Sequence, residues 1–470
     1  MPTRDPAQRL RRDDVERVVA DVVLPAAGTC EGRAVGLEVE LVPVRVHADG
    51  RTSRVPLGHV DDPASVLGLV ASMRGDADDV LAPGATVSAA GIPLTAGGRL
   101  TFEPGAQVEV SGACAADAAT ALEDLVLPLD ALALAAARSG VALCSVGLDV
   151  WHDVEQVPQQ LTAPRYPAMA TYLATRSPEG ARMMRGTASL QVNVDPGAGA
   201  VLAARWRLAN LLAPLLTATF AHSPVGGRPG RPGAVSGRAR AWQRLDPTRT
   251  GVPAGVRQGS EDLVGTMVGA ALDADVLLVA DGAGGATPGR PGWRFGTWLD
   301  EGDGQHGWPT EPDLRGHLTT LFHEVRPRGA LEIRALDAVP APWRPVPVTL
   351  LAGVLYDDVA RDRVRELLEP HAPALPSLLA RAATAGLHDP ALCALAVEAW
   401  SFALDGARRL PEVTPDMVDV AEAFVDRFTL RGRAPADELA ERLAVDPLDA
   451  LRSVSEPVVA GGRHPVGVAT

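Results

Sequence analysis

The stretch GLEVELV (36–42) alternates apolar and acidic residues, and FEPGAQVEV (102–110), TASLQVNVD (187–195) and ALEIRAL (330–336) repeat its layout with acidic or hydrogen-bonding partners. A period of two is that of a β-strand, whose successive side chains leave on opposite faces. Leu37, Val39, Leu41, Val108, Val110, Leu190, Val192, Val194, Leu331 and Ile333 then share an apolar face. Glu38, Glu40, Glu103, Glu109, Ser189, Gln191, Asn193, Asp195, Glu332 and Arg334 share the other. Glutamates crowded on one sheet face repel each other unless cations sit among them. The pattern predicts a metal-dependent active site laid out on a sheet.

Around these strands, helices are expected over 8–23, 115–138, 165–184, 199–220 and 311–323, with a fully buried strand at 141–151. From 346 onward the pattern is wholly helical, over 346–369, 376–386, 389–408, 414–428 and 435–455. Strands concentrated early and helices late predict an α+β fold rather than a βαβ parallel sheet. The chain divides on this reading into a core over 1–345 and a helical C-terminal region over 346–470. Residues 222–258 are rich in Gly, Pro and Arg and carry SGRARAW (236–242) and DPTRT (246–250), which reads as a substrate or nucleotide loop. The last ten residues, GGRHPVGVAT, are expected to fray.

Composition narrows the function. With 470 residues, 46% hydrophobic and 22% charged, the chain can bury a sizeable core. A formal charge of −14 argues against nucleic acid as a partner, which would need a basic stripe. All 44 Lys+Arg residues are arginine. That excludes a Walker-A loop and lysine Schiff-base or pyridoxal-phosphate chemistry. Cys30, Cys114, Cys144 and Cys393 lie far apart, as reduced thiols of a cytoplasmic protein do. The polar opening MPTRDPAQRLRRDD is unlike a signal peptide, and the longest uncharged run, 208–227, is too polar for a membrane span. A soluble cytoplasmic protein is expected, with no membrane partner, as a monomer or weak homodimer.

The chemistry follows from spacing. Glu38 and Glu40 stand two apart, so a strand sets their carboxylates on one face about 6–7 Å apart. Such a pair suits neighbouring hard cations, which take oxygen ligands. Glu103 and Glu109 have the same parity unless a bulge at Pro104-Gly105 breaks it. Arg182, Arg185, Arg238, Arg249, Arg326, Arg328 and Arg334 flank the strands or the 222–258 segment, and their forks bind phosphate or carboxylate bidentately. His152, His222, His306 and His323 show no metal-binding spacing, and no GxSxG or GxGxxG occurs.

Six motifs, in order, carry a resemblance. They are GLEVEL (36–41), LTFEPGAQVEVSG (100–112), RYPAMATYL (165–173), MMRGTASLQVNVD (183–195), SGRARAWQRLDPTRTG (236–251) and RPRGALEIRALDAVP (326–340). The chain resembles the plant and actinobacterial type of glutamate–cysteine ligase, within glutamate–cysteine ligase family 2 and more distantly glutamine synthetase. It looks most like the actinobacterial branch that supplies γ-glutamylcysteine to ergothioneine synthesis. Two departures stand out: His222 in AHSP (221–224) replaces the family's usual asparagine, and the tail beyond 345 carries no matching motif.

The resemblance implies a cupped antiparallel sheet with surrounding helices, whose polar face holds ATP, L-glutamate, L-cysteine and two or three Mg²⁺ ions. Glu38, Glu40, Glu103, Glu109 and Glu332 match metal positions. Arg238 and Trp242 match residues near glutamate, and Arg334 matches the arginine near the transferred phosphate. Arg334, Glu109 and Arg238 are read as catalytic, with Trp242, Arg249, Thr187, Gln191, Asn193 and Arg185 as substrate or nucleotide ligands. The reaction implied is phosphorylation of the glutamate side chain by ATP, then attack by the cysteine amine. A related ligase using another small amine would need the same metals and ATP, so the acceptor stays open at this point. A degenerate, non-catalytic relative would have lost acidic positions, and here five glutamates remain.

Overall fold

The computed structural model describes residues 9–26, 32–74, 80–226, 233–282 and 284–458. Cys30 and the terminal GGRHPVGVAT lie outside them.

Alternation over residues 35–41, continued by the apolar and β-branched run 42–46, gives one long strand, β1 (Val35–Val46), around which the sheet assembles. The others are β2 (Thr52–Arg54), β3 (Ile92–Pro93), β4 (Arg99–Phe102), β5 (Val108–Ser111), β6 (Val141–Cys144), β7 (Leu190–Val194), β10 (Val325–Pro327) and β11 (Leu331–Ile333); β8 (Leu278–Ala280) and β9 (Ala286–Pro288) form a separate ribbon. The main sheet runs β10-β11-β7-β1-β5-β4-β3, with β2 and β6 on the far half of β1. Every pairing is antiparallel. The α+β architecture expected from the sequence is the one found.

All ten residues assigned to the apolar face are at most 2% exposed. That face packs on three helices: Ala118–Arg138, Gly199–Thr219 and Pro345–Tyr356. Two of these are hydrophobic nearly all round: residues 205–219 and 346–356 are buried without interruption. A helix apolar on every side belongs in a core rather than on a surface. One hydrophobic cluster runs from β1 through these helices to Phe428, so the C-terminal helices share the core of the sheet. The chain returns to the sheet at its end, where Ser455 bridges to Cys144 and buried Glu456 pairs with Arg344.

Several sequence-based boundaries are corrected. Residues 102–110 are not one strand but the turn and second strand of a β4–β5 hairpin, with Phe102 opposite Val108. The helix expected over 165–184 is two, Arg165–Arg176 and Glu179–Gly186, because Pro178 cannot continue the first. The strand over 141–151 stops at Cys144. Within the supposed loop 222–258 lie the short helices Gly237–Gln243, Pro247–Thr250 and Ala254–Arg257. The expected long C-terminal helices divide before Asp358 and at Asp446, where aspartate side chains cap new N-termini.

Candidate active site

The register sets the polar face as a floor. Glu38 lies opposite Gln191 of β7 and Ser111 of β5, and Glu40 lies opposite Glu109. Asn193 faces Glu332 of β11, which in turn faces Arg326. Directly opposed like charges on a sheet are destabilising, so what surrounds each carboxylate decides its character.

Glu40 accepts from the Ser189 backbone N–H at 2.8 Å, the Ser189 hydroxyl at 2.9 Å and Gln191 Nε2 at 3.0 Å. Glu38 accepts from Asn193 Nδ2 at 3.0 Å. Glu109 accepts from the hydroxyls of Thr101 at 2.6 Å and Ser111 at 3.1 Å. Glu332 differs: Arg326 grips it through two nitrogens at 2.7 and 2.9 Å, and Arg334 adds a further contact. Arg334 also donates to Gln191 Oε1 at 2.6 Å, so one hydrogen-bonded chain crosses the floor from Glu332 to Glu40.

These surroundings divide the carboxylates. Burial pushes Glu332 upward, but Arg334 and Arg326 overcome it and hold the group down to about 2. Glu38 is pushed up to about 7 by burial and by the charges of Glu109 and Glu332. Glu40, Glu103 and Glu109 are likewise raised, by burial first. Glu103 stands well above the carboxylate range because Glu40 and Glu109 add their repulsion. Glu332 is thus already matched by arginine, whereas the other four are not.

Glu103 reaches the floor from the hairpin turn, which corrects its assignment to a strand face. The turn has a specific construction. Ala106 takes a left-handed φ of 65°, and Gly105 passes so close to Arg185 that a Cβ there would sit 2.2 Å from its carbonyl oxygen. Gln107 accepts from the Gly105 N–H at 2.9 Å and donates to the Thr187 carbonyl at 2.8 Å. Arg54 of β2 donates to the Gly105 carbonyl at 2.6 Å and to Asp149 at 3.0 Å. Among the described residues the Glu103 side chain takes no hydrogen bond.

Above the floor, the helix Gly237–Gln243 places Arg238 and Trp242 one turn apart. The guanidinium carbons of Arg238 and Arg334 lie 5.9 and 5.6 Å from the Trp242 ring centre, and Phe322 meets that ring edge-on at 5.3 Å. Trp242 Nε1 is buried without a partner. Tyr166 and Arg165 complete this side. Burial raises the Tyr166 phenol, and the nearby Glu103 charge adds to it.

Three predicted ligands are not at the floor. Arg249 is fully enclosed, and donates to the Thr320 carbonyl and hydroxyl at 2.6 and 2.7 Å and to the Asp275 carbonyl. Arg185 donates to the Val157 carbonyl at 2.7 Å, and the Thr187 hydroxyl bonds back to Met183 at 2.6 Å. These residues build walls. Asp195 is paired with Arg205 at 3.6 Å, and the His222 ring bonds to the Ala338 carbonyl at 3.0 Å. Arg182 pairs with Glu179 at 2.8 Å. A cavity of about 330 Å³ beside Asp149, His152, Arg182 and Arg240 contains none of the floor carboxylates. Arg54, Tyr166 and Asp337, none of them predicted as site residues, do contribute; RYPAMATYL contains Tyr166 and RPRGALEIRALDAVP contains Asp337, whereas no motif covered Arg54.

The sequence profile of glutamate–cysteine ligase family 2 matches residues 34–460. The chain belongs to glutamate–cysteine ligase family 2. The glutamate–cysteine ligase EgtA of Mycolicibacterium smegmatis is 36% identical over 355 residues, which cover 75% of this chain and 79% of that one. The chloroplastic glutamate–cysteine ligase of Medicago truncatula is 29% identical over 285 residues, covering 57% and 52%. A crystal structure of glutamate–cysteine ligase from Francisella tularensis in complex with AMP shares the fold, with a TM-score of 0.50 at 13% identity over 92% of this chain and 88% of that one. As a member of this family the protein is a ligase.

Among the described residues no three His, Cys, Asp or Glu side chains are gathered as a metal-holding group. The floor nonetheless offers the donor type that a hard cation takes: oxygen only, buried or half-buried, and short of internal positive charge at Glu38, Glu40, Glu103 and Glu109. No described helix is long and apolar enough to cross a membrane.

Proposed function

We propose that this protein joins the γ-carboxylate of L-glutamate to the amine of L-cysteine, with ATP as phosphoryl donor, and that the γ-glutamylcysteine formed supplies ergothioneine synthesis. The observation that carries the reading is the floor itself: four carboxylates without matching cations, Glu40 buried and Glu38, Glu103 and Glu109 half-buried, bordered by Arg334 and Arg238, which both lie against Trp242. Family membership and the similarity to EgtA ligases support the substrate assignment.

Glu38, Glu40, Glu103 and Glu109 would hold Mg²⁺, which when bound neutralises the phosphate oxygens of ATP. Arg238 pairs with a carboxylate of glutamate, and Trp242 offers its unpartnered Nε1–H as a further donor. Arg334, kept in place by Glu332 and Gln191, faces the transferred phosphate. A γ-carboxylate oxygen attacks the γ-phosphorus and ADP leaves. The cysteine nitrogen then attacks the acyl carbon of the γ-glutamyl phosphate, the carbon–oxygen bond to phosphate breaks, and the amine proton passes to a carboxylate of the floor. Preorganised charge and position supply most of the acceleration in such a site.

The test is ADP release with ATP, glutamate and a panel of amines. Cysteine is expected to be turned over well ahead of alanine, serine or glycine. Equal turnover of the non-thiol amines would remove cysteine as the acceptor, and no ADP release with any of them would remove the ligase reading.

A further inference from the structure

Beneath the helix that carries Arg238 lies a carboxylate with no assigned part in the chemistry. Asp337 is 2% exposed. It accepts from the Ser223 hydroxyl at 2.6 Å, the His222 backbone N–H at 2.8 Å and the Ser236 hydroxyl at 2.9 Å. Both hydroxyls are working parts of the helix Gly237–Gln243. Ser236 is its N-cap and accepts from the Ala239 N–H at 3.0 Å, while Ser223 accepts from the Arg238 N–H at 3.2 Å.

A serine hydroxyl has one proton and two lone pairs. By taking the proton of each serine, Asp337 fixes the rotation of both hydroxyls so that their lone pairs face the helix N–H groups. Its own rotamer is fixed as well: a Cβ on Gly147 would sit 2.3 Å from Asp337 Cγ, so backbone closes that side.

The second connection is electrostatic. Arg238 is 4% exposed and, among the described residues, has no carboxylate within ion-pair distance; its guanidinium donates to the Arg334 carbonyl at 2.9 Å. Burial lowers the Arg238 pKa, and Asp337 is foremost among the charges that oppose this, ahead of Glu324 and Glu40. A buried guanidinium without a carboxylate partner is costly, and such neighbouring charges offset part of that cost.

We infer that Asp337 is a positioning residue for the substrate side of the floor, holding the helix that presents Arg238 and Trp242 and providing the counter-charge beneath Arg238. The inference rests on the reading of Arg238 as a ligand of glutamate.

Asp337→Asn keeps the shape but puts an amide N–H₂ where one serine proton was accepted, so that hydroxyl loses the acceptor that fixed its rotation toward the helix N–H. The KM for glutamate is expected to rise about tenfold or more, with the KM for ATP within about twofold of wild type. Hydrogen exchange in the segment 236–243 should quicken while exchange in β1 and β7 stays unchanged. Ser236→Ala removes a single link, so it remains informative if the aspartate variant folds poorly, and it should show the same local exchange with a smaller KM change. The inference falls if exchange in 236–243 is unaltered in both variants. It falls equally if kcat drops with both KM values constant and exchange quickens throughout, as general destabilisation would give. Exchange needs no substrate, so failure here is distinct from failure of the ligase reading, which a wild-type protein without ADP release would show.

Discussion

Two regions of this molecule bury charge, and they do so in opposite ways. Around Arg249, the charges close on themselves. Its guanidinium binds the Thr320 and Asp275 carbonyls, and Asp246 alongside accepts from the Tyr172 hydroxyl at 2.7 Å, Arg176 at 2.9 Å and the Thr248 N–H at 3.0 Å. On the carboxylate floor, Glu38, Glu40 and Glu109 take hydrogen bonds only from neutral donors, and Glu103 takes none among the described residues. Both regions are rich in motif residues, but Arg249 and Asp246 are fully enclosed whereas Glu38, Glu103 and Glu109 are only half-buried. What separates structure from site is closure: a network with its charges matched holds the fold, while one left unmatched is poised for ligands.

The contrast can be broken by neutralising one member of each. Glu109→Gln removes repulsion against Glu40 and Glu103 while keeping a group of the same shape beside Thr101 and Ser111. ADP release should fall on the order of a thousandfold, with the melting temperature held or raised. Arg249→Met should act in reverse. It leaves the Thr320 and Asp275 carbonyls without their buried donor and takes a cation from beside Asp246, which costs about 3–5 kcal/mol of stability in urea unfolding, while the KM values of the remaining folded enzyme change little. Full activity in the glutamate variant, or a loss of stability there matching that of the arginine variant, would erase the distinction drawn between the two regions.

How far this contrast was legible in the sequence depends on distance along the chain. β1 was readable to its ends because alternation over residues 35–41 runs on into the β-branched stretch 42–46, and the core-facing side chains of its first half are where alternation put them. FEPGAQVEV misled because a tight turn carrying polar residues at both rims imitates alternation; only the Pro104-Gly105 pair hinted at the hairpin. Helices of four to seven residues in 237–257 are too short to display a 3.6-residue period, so the segment read as loop. Arg238 and Arg249 sit in one motif, yet one stands over the floor and the other is walled in. That outcome is set by Asp275 and Thr320, which approach Arg249 from 26 and 71 residues away. Arg54 was invisible for the same reason, since its partners lie 51 to 131 residues away, and Asp337, though inside RPRGALEIRALDAVP, showed no role because its partners lie 101 to 115 residues away.

Acid provides the finest probe of the closed region. His323 packs beside Arg249, with its Nδ1–H on the Gly251 carbonyl at 2.9 Å and its Nε2 buried without a partner. Burial, with help from the Arg249 and Arg326 charges, pushes its pKa down to about 4. His317, on the other side of Arg249, is lowered well below its ordinary value for the same reasons. In the unfolded chain an imidazole titrates near 6.5. Between about 6.5 and about 4 the unfolded state therefore binds more protons than the native one, and stability falls as pH falls through that window. The His323 share of the loss is about 3 kcal/mol from the span between those two values. His323→Asn can keep the hydrogen bond to Gly251 while removing the titration. Its stability in urea should change less between about pH 7 and about pH 4.5 than that of wild type, by roughly that amount. An identical pH slope in the variant would mean that His323 does not contribute to the acid limit of the fold.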